Sequence, residues 1–528
     1  EILIGLVGSE MCIRDSDFSS PQTQIALIVK SCVLYNSYKG AGSPFRRYWL
    51  DEFFVNKVIE LAAVRKEVFE RSNDPAIAPA AILFYQYANG QCTDKNLIEH
   101  ISLKPSRFFS LFKIFALHRT DYKTVKQSLF KQYDWLWKTL VYGSRLDFQL
   151  LRRLKEDYRS IGQVISDNER FVIGTGLHYG KVEEYDSSTL MGRNIIEAQG
   201  IHSFFINPCE FSIFMRERVS RIRDQRIFIA PMLLVRKGLN TNNLTMRGAI
   251  SSKDLLFKDG VTSIKVNKDQ DVQILYDLLS VMSSELCSYY AIHTFSSVGV
   301  EREQVKDYEK YSIPYLELDS KDIVVQIEAL KKKQNSQLLI DPKIEGQINE
   351  HLSVLNNRIF EYIELSDMEK ATLEYSMTIN LPMITNSGTN RYIAERLKYK
   401  DSYLHDYASI FEKRFRRIFD KLDKFFSIEI WYSQQIVGMI FKIMPSVQNE
   451  RIKWIDKQSE AIGIIPFLIR LGTEKLTDQL FFQKDIRGFE EDQFYIFKTN
   501  EKHLWHKAIG YLDVEYFIDA ILRAGGQK

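Results

Sequence analysis

The chain has 528 residues, of which 45% are hydrophobic and 26% are charged. This balance indicates a globular protein of several domains and excludes an intrinsically disordered one. No apolar run approaches the ~20 residues that a membrane helix needs. The formal net charge of +3 does not by itself indicate a nucleic-acid partner, so that signal has to come from local patches.

The five cysteines are widely scattered and form neither a CxxC motif nor a Cys/His cluster. This spacing predicts no metal site and no disulfide framework, and it favours a reducing cytoplasm. The five are Cys12, Cys32, Cys92, Cys209 and Cys287.

The first sixteen residues do not have the character of a natural protein. Residues 6–16, LVGSEMCIRDS, resemble a translated adaptor from transposon-based sequencing libraries, and the chain begins with Glu1. Such scars are excluded from fold reasoning. We therefore expect residues 1–16 to be an artefact and Asp17 to be the first authentic residue of a gene cut at its 5′ side.

Residues 17–95 follow the pattern of an α/β sheet. Apolar runs of strand length occur at residues 25–29, 55–61 and 80–87, with polar turn residues around them, as in buried strands. A helix is predicted to end near Glu52. Between the last two strands, Phe69 lies in RKEVFERSND, a charged turn that would normally exclude a large aromatic side chain.

A family resemblance is carried by this order of segments: IALIVKSCVLYN, a helix opening with FRRYWL, a strand, and the V-F turn. It resembles the closing part of the catalytic domain of DNA adenine N6-methyltransferases from restriction–modification systems. The resemblance implies S-adenosylmethionine as methyl donor, DNA as substrate, and stacking of Phe69 on the flipped adenine. Lys30 departs from the pattern, because relatives often have Pro there. By residue type alone, Phe69 would instead be a packing residue of a hairpin.

Residues 96–165 are predicted to be a helical connector. Residues 103–132 hold seven Lys/Arg and one acid, interleaved with phenylalanines. This run is either a solvated face or a track along a phosphate backbone, and the sequence leaves both open. The following segment, 133–154, resembles one that the same family carries between its catalytic and specificity parts. We expect its Trp135, Trp137 and Phe148 to be packing residues.

The glycines of FVIGTGLHYGK, residues 171–181, do not form a nucleotide loop. Five residues separate Gly174 from Gly180, and Val182 follows Lys181, whereas a phosphate loop needs four residues and then Gly-Lys-Ser/Thr. A methyl-donor loop would require acidic partners that are not clear here. Turn glycines that open a β-rich domain are the better interpretation.

Residues 166–330 are predicted to form an α+β target-recognition domain with short strands at 204–206, 227–235, 249–251 and 263–266. Two segments, 226–239 and 278–318, resemble the recognition domain of single-chain, type IIG-like enzymes. Arginine suits bidentate contacts to phosphate and guanine, so the basic residues here are candidate DNA contacts, the alternative being a solvated basic hairpin. The candidates are Arg216, Arg218, Arg221, Arg223, Arg226, Arg236, Lys237 and Arg302.

The NPCE segment at 207–210 lacks the second proline and the aromatic of the family's catalytic motif and is interpreted as a turn.

Beyond residue 330 a mainly helical region (331–450) and a small α/β unit (451–528) are predicted. The apolar spacing marks helices through 348–362 and 411–426. IFEYIELSDMEKATLEYSM resembles the helix–turn–helix that closes many such recognition domains. Strands are predicted at 479–483 and 493–498, as a hairpin, with a helix at 514–522.

The fold class predicted from these observations is an α/β remnant of a Rossmann-like methyltransferase sheet, then an α+β target-recognition domain and a mainly helical C-terminal region. The predicted function is that of an N-terminally truncated, site-specific DNA adenine N6-methyltransferase of a restriction–modification or phage-defence system. S-adenosylmethionine would be bound mainly upstream, so no catalytic residue is assigned and this chain alone is expected to be inactive. The alternative is a non-catalytic DNA-binding specificity protein. A restriction nuclease is a possible further domain or subunit, no membrane partner is expected, and the location expected is cytoplasmic.

Overall fold

The computed structural model describes residues 20–36, 42–68, 79–105, 114–167, 169–182, 184–221, 224–300, 305–337, 339–386, 395–446, 450–457, 470, 473–476 and 480–525. The chain divides into two compact units. The first combines Glu1–Leu146 with Asp367–Lys528, and the second is Asp147–Ser366. The domain boundaries expected from the sequence stay predictions.

A mixed sheet forms the N-terminal part of the first unit. In spatial order, its described strands are Gln24–Lys30, Ala80–Tyr87, Phe53–Glu60, Leu97–Ser102 and Tyr122–Lys126. Neighbours are antiparallel, except that Phe53–Glu60 and Leu97–Ser102 run parallel. The three predicted strands are confirmed, as is the helix Gly42–Glu52. They form because their apolar residues, such as Val58 and Leu83, are fully buried.

The region predicted as a helical connector is only partly helical. It contributes the two last strands of this sheet and a separate strand, Phe115–His118, because alternating side chains of Leu97–Ser102 are buried against the sheet. Its described helices are Gln127–Gln132, Leu136–Tyr142, Arg145–Asp157 and Ile161–Ile165. The other short helices of this end of the chain are Cys32–Tyr35 and Arg65–Val68.

A second mixed sheet forms the C-terminal part of the first unit. Two of its strands, Phe425–Tyr432 and Ile436–Met444, lie in the region that was expected to be mainly helical, and the others lie in the predicted α/β unit. Its described strands, in spatial order, are Ile452–Asp456, Phe425–Tyr432, Ile436–Met444, Gln493–Thr499 and Ile486–Phe489. The helices Ser402–Phe419 and Lys507–Gly525 cover an aromatic core on this sheet. Asp367–Tyr375 and Leu381–Thr385 are further helices of the unit.

The helix predicted through residue 426 ends at Phe419. Asp423 has a positive φ of 53°, a left-handed conformation that stops a helix, and Phe426 then lies in a strand. The apolar spacing misled the prediction because Phe415, Phe419 and Phe426 all enter one core from two different elements.

The predicted hairpin of residues 479–483 and 493–498 is not observed, because each of these strands pairs with another strand. Ile486–Phe489 pairs with Gln493–Thr499, whereas Leu480–Gln483 pairs with Thr473–Lys475 and, in parallel, with Phe115–His118. This parallel pairing joins the two ends of the discontinuous first unit.

The second unit is built on an antiparallel sheet. Its described strands, in spatial order, are Met246–Ser251, Met232–Leu239, Val261–Val266 and Phe171–Thr175. Two-residue strands extend the β structure at Tyr185–Asp186, Ile201–His202, Phe205–Ile206, Ser212–Ile213, Arg218–Val219 and Leu256–Phe257, with Asn194–Ile196 beside them. Besides Ile161–Ile165 and most of Arg145–Asp157, the described helices of the unit are Val272–Met282, Glu285–Thr294, Asp307–Lys310, Lys321–Asn335 and Pro342–Tyr362.

The strand predicted at 227–235 begins later than expected. Gln225–Phe228 is a 3-10 helix, because the Asp224 carboxylate accepts the Arg226 amide at 2.9 Å, and the strand starts only at Met232, after Pro231.

No described helix is long and apolar enough to cross a bilayer. All four cysteines in the described part of the chain are free thiols.

Candidate nucleic-acid interface

A β-bulge in the second unit brings two arginines together. The pairing of Met232–Leu239 with Met246–Ser251 shifts register between Val235 and Leu239. Arg236 lies in the bulge and Arg247 lies on the strand opposite it. The Arg247 guanidinium lies against Gly238, because a Cβ built there would meet it at 3.8 Å, an ordinary van der Waals distance. Bulges re-aim side chains in this way and are common beside functional sites.

Both guanidiniums are half-buried and poorly compensated. Arg236 donates to the Ile201 carbonyl at 3.4 Å, and Arg247 donates to the Leu239 carbonyl at 2.9 Å. Burial lowers the pKa of both, and Arg247 lowers the pKa of Arg236 further. The buried Arg247 Nε has no hydrogen-bond acceptor among the described residues. Among the described residues, no carboxylate raises the pKa of either guanidinium.

Two further basic side chains join this pair. Burial lowers the pKa of His202, and Arg236, Arg247 and Lys331 lower it further, against an opposing effect of Glu210. Burial also lowers the pKa of Lys331, against an opposing effect of Glu345. We call these four residues, Arg236, Arg247, His202 and Lys331, the bulge cluster. Concentrating like charges costs free energy, so the cluster favours an anionic ligand that would relieve the repulsion.

A second basic surface surrounds Tyr179. The Arg216 guanidinium lies 4.3 Å and the Lys258 ammonium 5.0 Å from the centre of its ring. Arg218, on the strand Arg218–Val219, and Arg221, whose backbone pairs with that of His178, are exposed nearby in sequence. In the part of the chain that is described, neither guanidinium takes part in a salt bridge. We call this group the tyrosine surface. Its exposed apolar neighbours in sequence are Val182, Tyr185, Ile213 and Met215.

One short segment, residues 197–202, connects the two basic groups. Lys258 of the tyrosine surface pairs with Glu197, and Arg236 of the bulge cluster donates to the carbonyl of Ile201. Basic side chains interleaved with exposed aromatic and apolar groups are suited to a nucleic-acid backbone.

The residues predicted to contact DNA have different environments. Arg216, Arg218 and Arg221 are exposed on the tyrosine surface, and exposed Lys237 follows Arg236 in the bulge. Arg226 is instead paired with Asp224, with Nε 2.9 Å from Oδ2, so its charge is neutralised locally. Arg223, Arg302 and the predicted base-stacking residue Phe69 lie outside the described residues. All of these assignments stay predictions.

The sequence analysis did not single out Arg247, His202, Lys331, Tyr179 or Lys258. These residues are spread over more than 150 positions, and the folded sheet brings them near the predicted arginines. The alternation in MRGAI, with Arg247 flanked by buried residues, was the available signal for one of them.

Three lysines of the basic run at 103–132 take part in contacts within the fold. Lys104 donates to Ser102 Oγ at 2.6 Å, and burial lowers its pKa to about 7. Lys123 donates to the Leu140 carbonyl at 2.9 Å, and Lys131 lies 2.8 Å from Asp94. Trp137 is fully buried and stacks on Phe130. These contacts favour a structural role for the described part of the run.

The glycine-rich segment does not fit a methyl-donor site. Gly174 lies in the strand Phe171–Thr175, and a side chain at Gly176 would lie 2.0 Å from the Phe257 carbonyl oxygen. The glycine therefore permits close backbone packing.

The NPCE segment, residues 207–210, is a 3-10 turn in which Asn207 accepts the Cys209 amide at 3.2 Å, so its interpretation as a turn is confirmed.

No protein-family model and no curated protein matches the chain. Solved structures give weak fold likenesses. The type IIG restriction endonuclease BpuSI is 8% identical, with a TM-score of 0.24, over 66% of this chain and 48% of its own length. The DNA complex of the type IIL restriction-modification enzyme MmeI is 9% identical, with a TM-score of 0.37, over 70% and 51%. The HsdS subunit from Thermoanaerobacter tengcongensis is 8% identical, with a TM-score of 0.18, over 68% and 97%. The chain thus spans about half the length of the first two proteins.

Proposed function

We propose that the second unit binds double-stranded DNA as the recognition part of a site-specific DNA adenine N6-methyltransferase of a restriction–modification system. The bulge cluster carries this proposal, because the β-bulge places Arg236 opposite Arg247 and no described carboxylate raises the pKa of either guanidinium. The tyrosine surface adds arginines suited to phosphate contacts.

The methyltransferase part of the proposal rests on the segments of residues 25–87 that resemble that family. In the whole enzyme, S-adenosylmethionine would supply the methyl group. The described glycine segment does not fit that donor, so no catalytic step is assigned to residues of this chain. A nuclease, as a further domain or separate subunit, is compatible with the same DNA-binding role.

Salt dependence of DNA binding tests the proposal. Each phosphate contact contributes roughly 0.9 to the slope of log affinity against log salt concentration. Replacing both bulge arginines, R236Q with R247Q, should therefore weaken duplex binding and lower that slope by about 1.8 if each contacts one phosphate. Fluorescence anisotropy with a labelled duplex at several salt concentrations measures both quantities.

R358Q is the matched control, because the Arg358 guanidinium is bound to Asp322 in the same unit and is not among the predicted DNA contacts. It should leave the slope close to that of the wild type. A correctly folded R236Q/R247Q protein with an unchanged slope would assign the bulge cluster to another role. Duplex binding by an intact enzyme that transfers no labelled methyl group would favour the non-catalytic specificity protein.

A further inference from the structure

Two histidines and a glutamate of the first unit lie close together, and they are distant in sequence from the basic residues of the second unit. His118 ends the strand Phe115–His118, Glu501 follows the strand Gln493–Thr499, and His503 lies in the 3-10 helix Lys502–Leu504. The nitrogen and oxygen atoms that could act as ligands all lie within 4.8 Å of one another. The side chains are 11%, 5% and 14% exposed, respectively.

The distances suit a tetrahedral metal. His118 Nε2 lies 3.9 Å and His503 Nδ1 lies 3.6 Å from Glu501 Oε2. Ligand atoms bound to one Zn²⁺ at tetrahedral angles are about 3.4 Å apart, whereas octahedral neighbours are about 3.0 Å apart. A small inward shift of the side chains would therefore give zinc geometry, while an octahedral ion would need a larger one.

The surrounding charges also suit a cation. The Glu501 carboxylate lies beside both imidazoles, and all three side chains are largely buried. The Asp121 carboxylate accepts the backbone amide of His118 at 3.0 Å and adds negative charge near the histidines. The nearby Lys498 is itself paired with Asp513.

We propose that His118, Glu501 and His503 bind one Zn²⁺ ion, with a fourth position open to water. Two imidazoles and one carboxylate form a ligand set found in zinc sites with an exchangeable position. The ion would join the strand Phe115–His118 to the segment after Gln493–Thr499, which already lie in one compact unit. This proposal is independent of DNA recognition by the second unit.

Zinc titration of the full chain tests the site. After removal of metal with a chelator, isothermal titration calorimetry with Zn²⁺ should give one equivalent bound per chain, with a rise in melting temperature. The H118Q/H503Q variant should lose this stoichiometric binding, because only one ligand remains. H405Q is the control, since His405 is an exposed histidine on Ser402–Phe419 of the same unit.

X-ray absorption spectroscopy of the zinc-loaded wild type provides a test that does not depend on the folding of a variant. It should show two imidazoles with the remaining ligands oxygen, at about 2.0–2.1 Å. No stoichiometric zinc binding by the wild type would overturn the proposal. So would full binding by folded H118Q/H503Q, or a spectrum without two imidazoles.

Discussion

Glu60 is a buried carboxyl whose protonation should affect stability. It accepts hydrogen bonds from Ser31 Oγ at 2.7 Å and from the Ala62 amide at 2.8 Å, and it contacts the Tyr35 hydroxyl. Burial nevertheless raises its pKa above the ordinary 4.5. The folded state therefore binds the proton more tightly than the unfolded state. The free energy of unfolding should fall as pH rises above 4.5 through the raised pKa, by up to about 1.4 kcal/mol per pH unit.

E60Q removes this ionisation while keeping an acceptor for Ser31 and Ala62. The difference in stability between E60Q and the wild type should then change in favour of E60Q as pH rises from 4.5 to neutrality. Urea unfolding at a series of pH values measures it. A difference that does not vary with pH would show that Glu60 has the same pKa in both states.

Two glycines in different elements of the second unit should respond to alanine in opposite directions. In G176A the new methyl group would clash with the Phe257 backbone, which cannot move aside cheaply, so we expect a loss of about 1–3 kcal/mol in stability. Gly346 lies exposed inside the helix Pro342–Tyr362, and a methyl group there meets nothing within 4 Å. G346A should stabilise by about 0.5–1 kcal/mol, because glycine loses more backbone entropy in a helix. Denaturant midpoints test both, and equal effects would contradict this packing.

The two compact units differ in how the chain builds them. The second unit is one continuous segment with its own apolar core. Residues 144–366, which keep the whole helix Arg145–Asp157, should therefore fold alone with a cooperative thermal transition. They should also bind duplex DNA with a salt dependence close to that of the full chain. Circular dichroism and anisotropy check the two parts of this prediction.

The first unit is discontinuous, so residues 20–146 alone should fail to unfold cooperatively. A cooperative transition of that shorter segment would show that the C-terminal residues are not needed.

Local patterns were sufficient for the strands around Gly42–Glu52 and for the helix Pro342–Tyr362. Each has an apolar periodicity of its own, and a neighbouring element buries that face. The spacing at 411–426 was insufficient, because a helix and a strand contribute phenylalanines to the same core. Apolar periodicity indicates which positions are buried, but it does not indicate whether a buried residue lies in a helix or in a strand.

The sequence by itself determined that this is a globular α/β chain with arginine-rich segments, because composition, apolar runs and local charge are properties of neighbouring residues. Only the tertiary structure decided which basic groups are neutralised, as Lys131 is by Asp94, and which are concentrated, as Arg236 is with Arg247. The same holds for His118, which the fold brings within reach of Glu501 and His503 from nearly 400 residues away in the sequence. Charge compensation and metal-ligand geometry depend on distances of a few ångströms, and strand register and packing between distant segments set those distances.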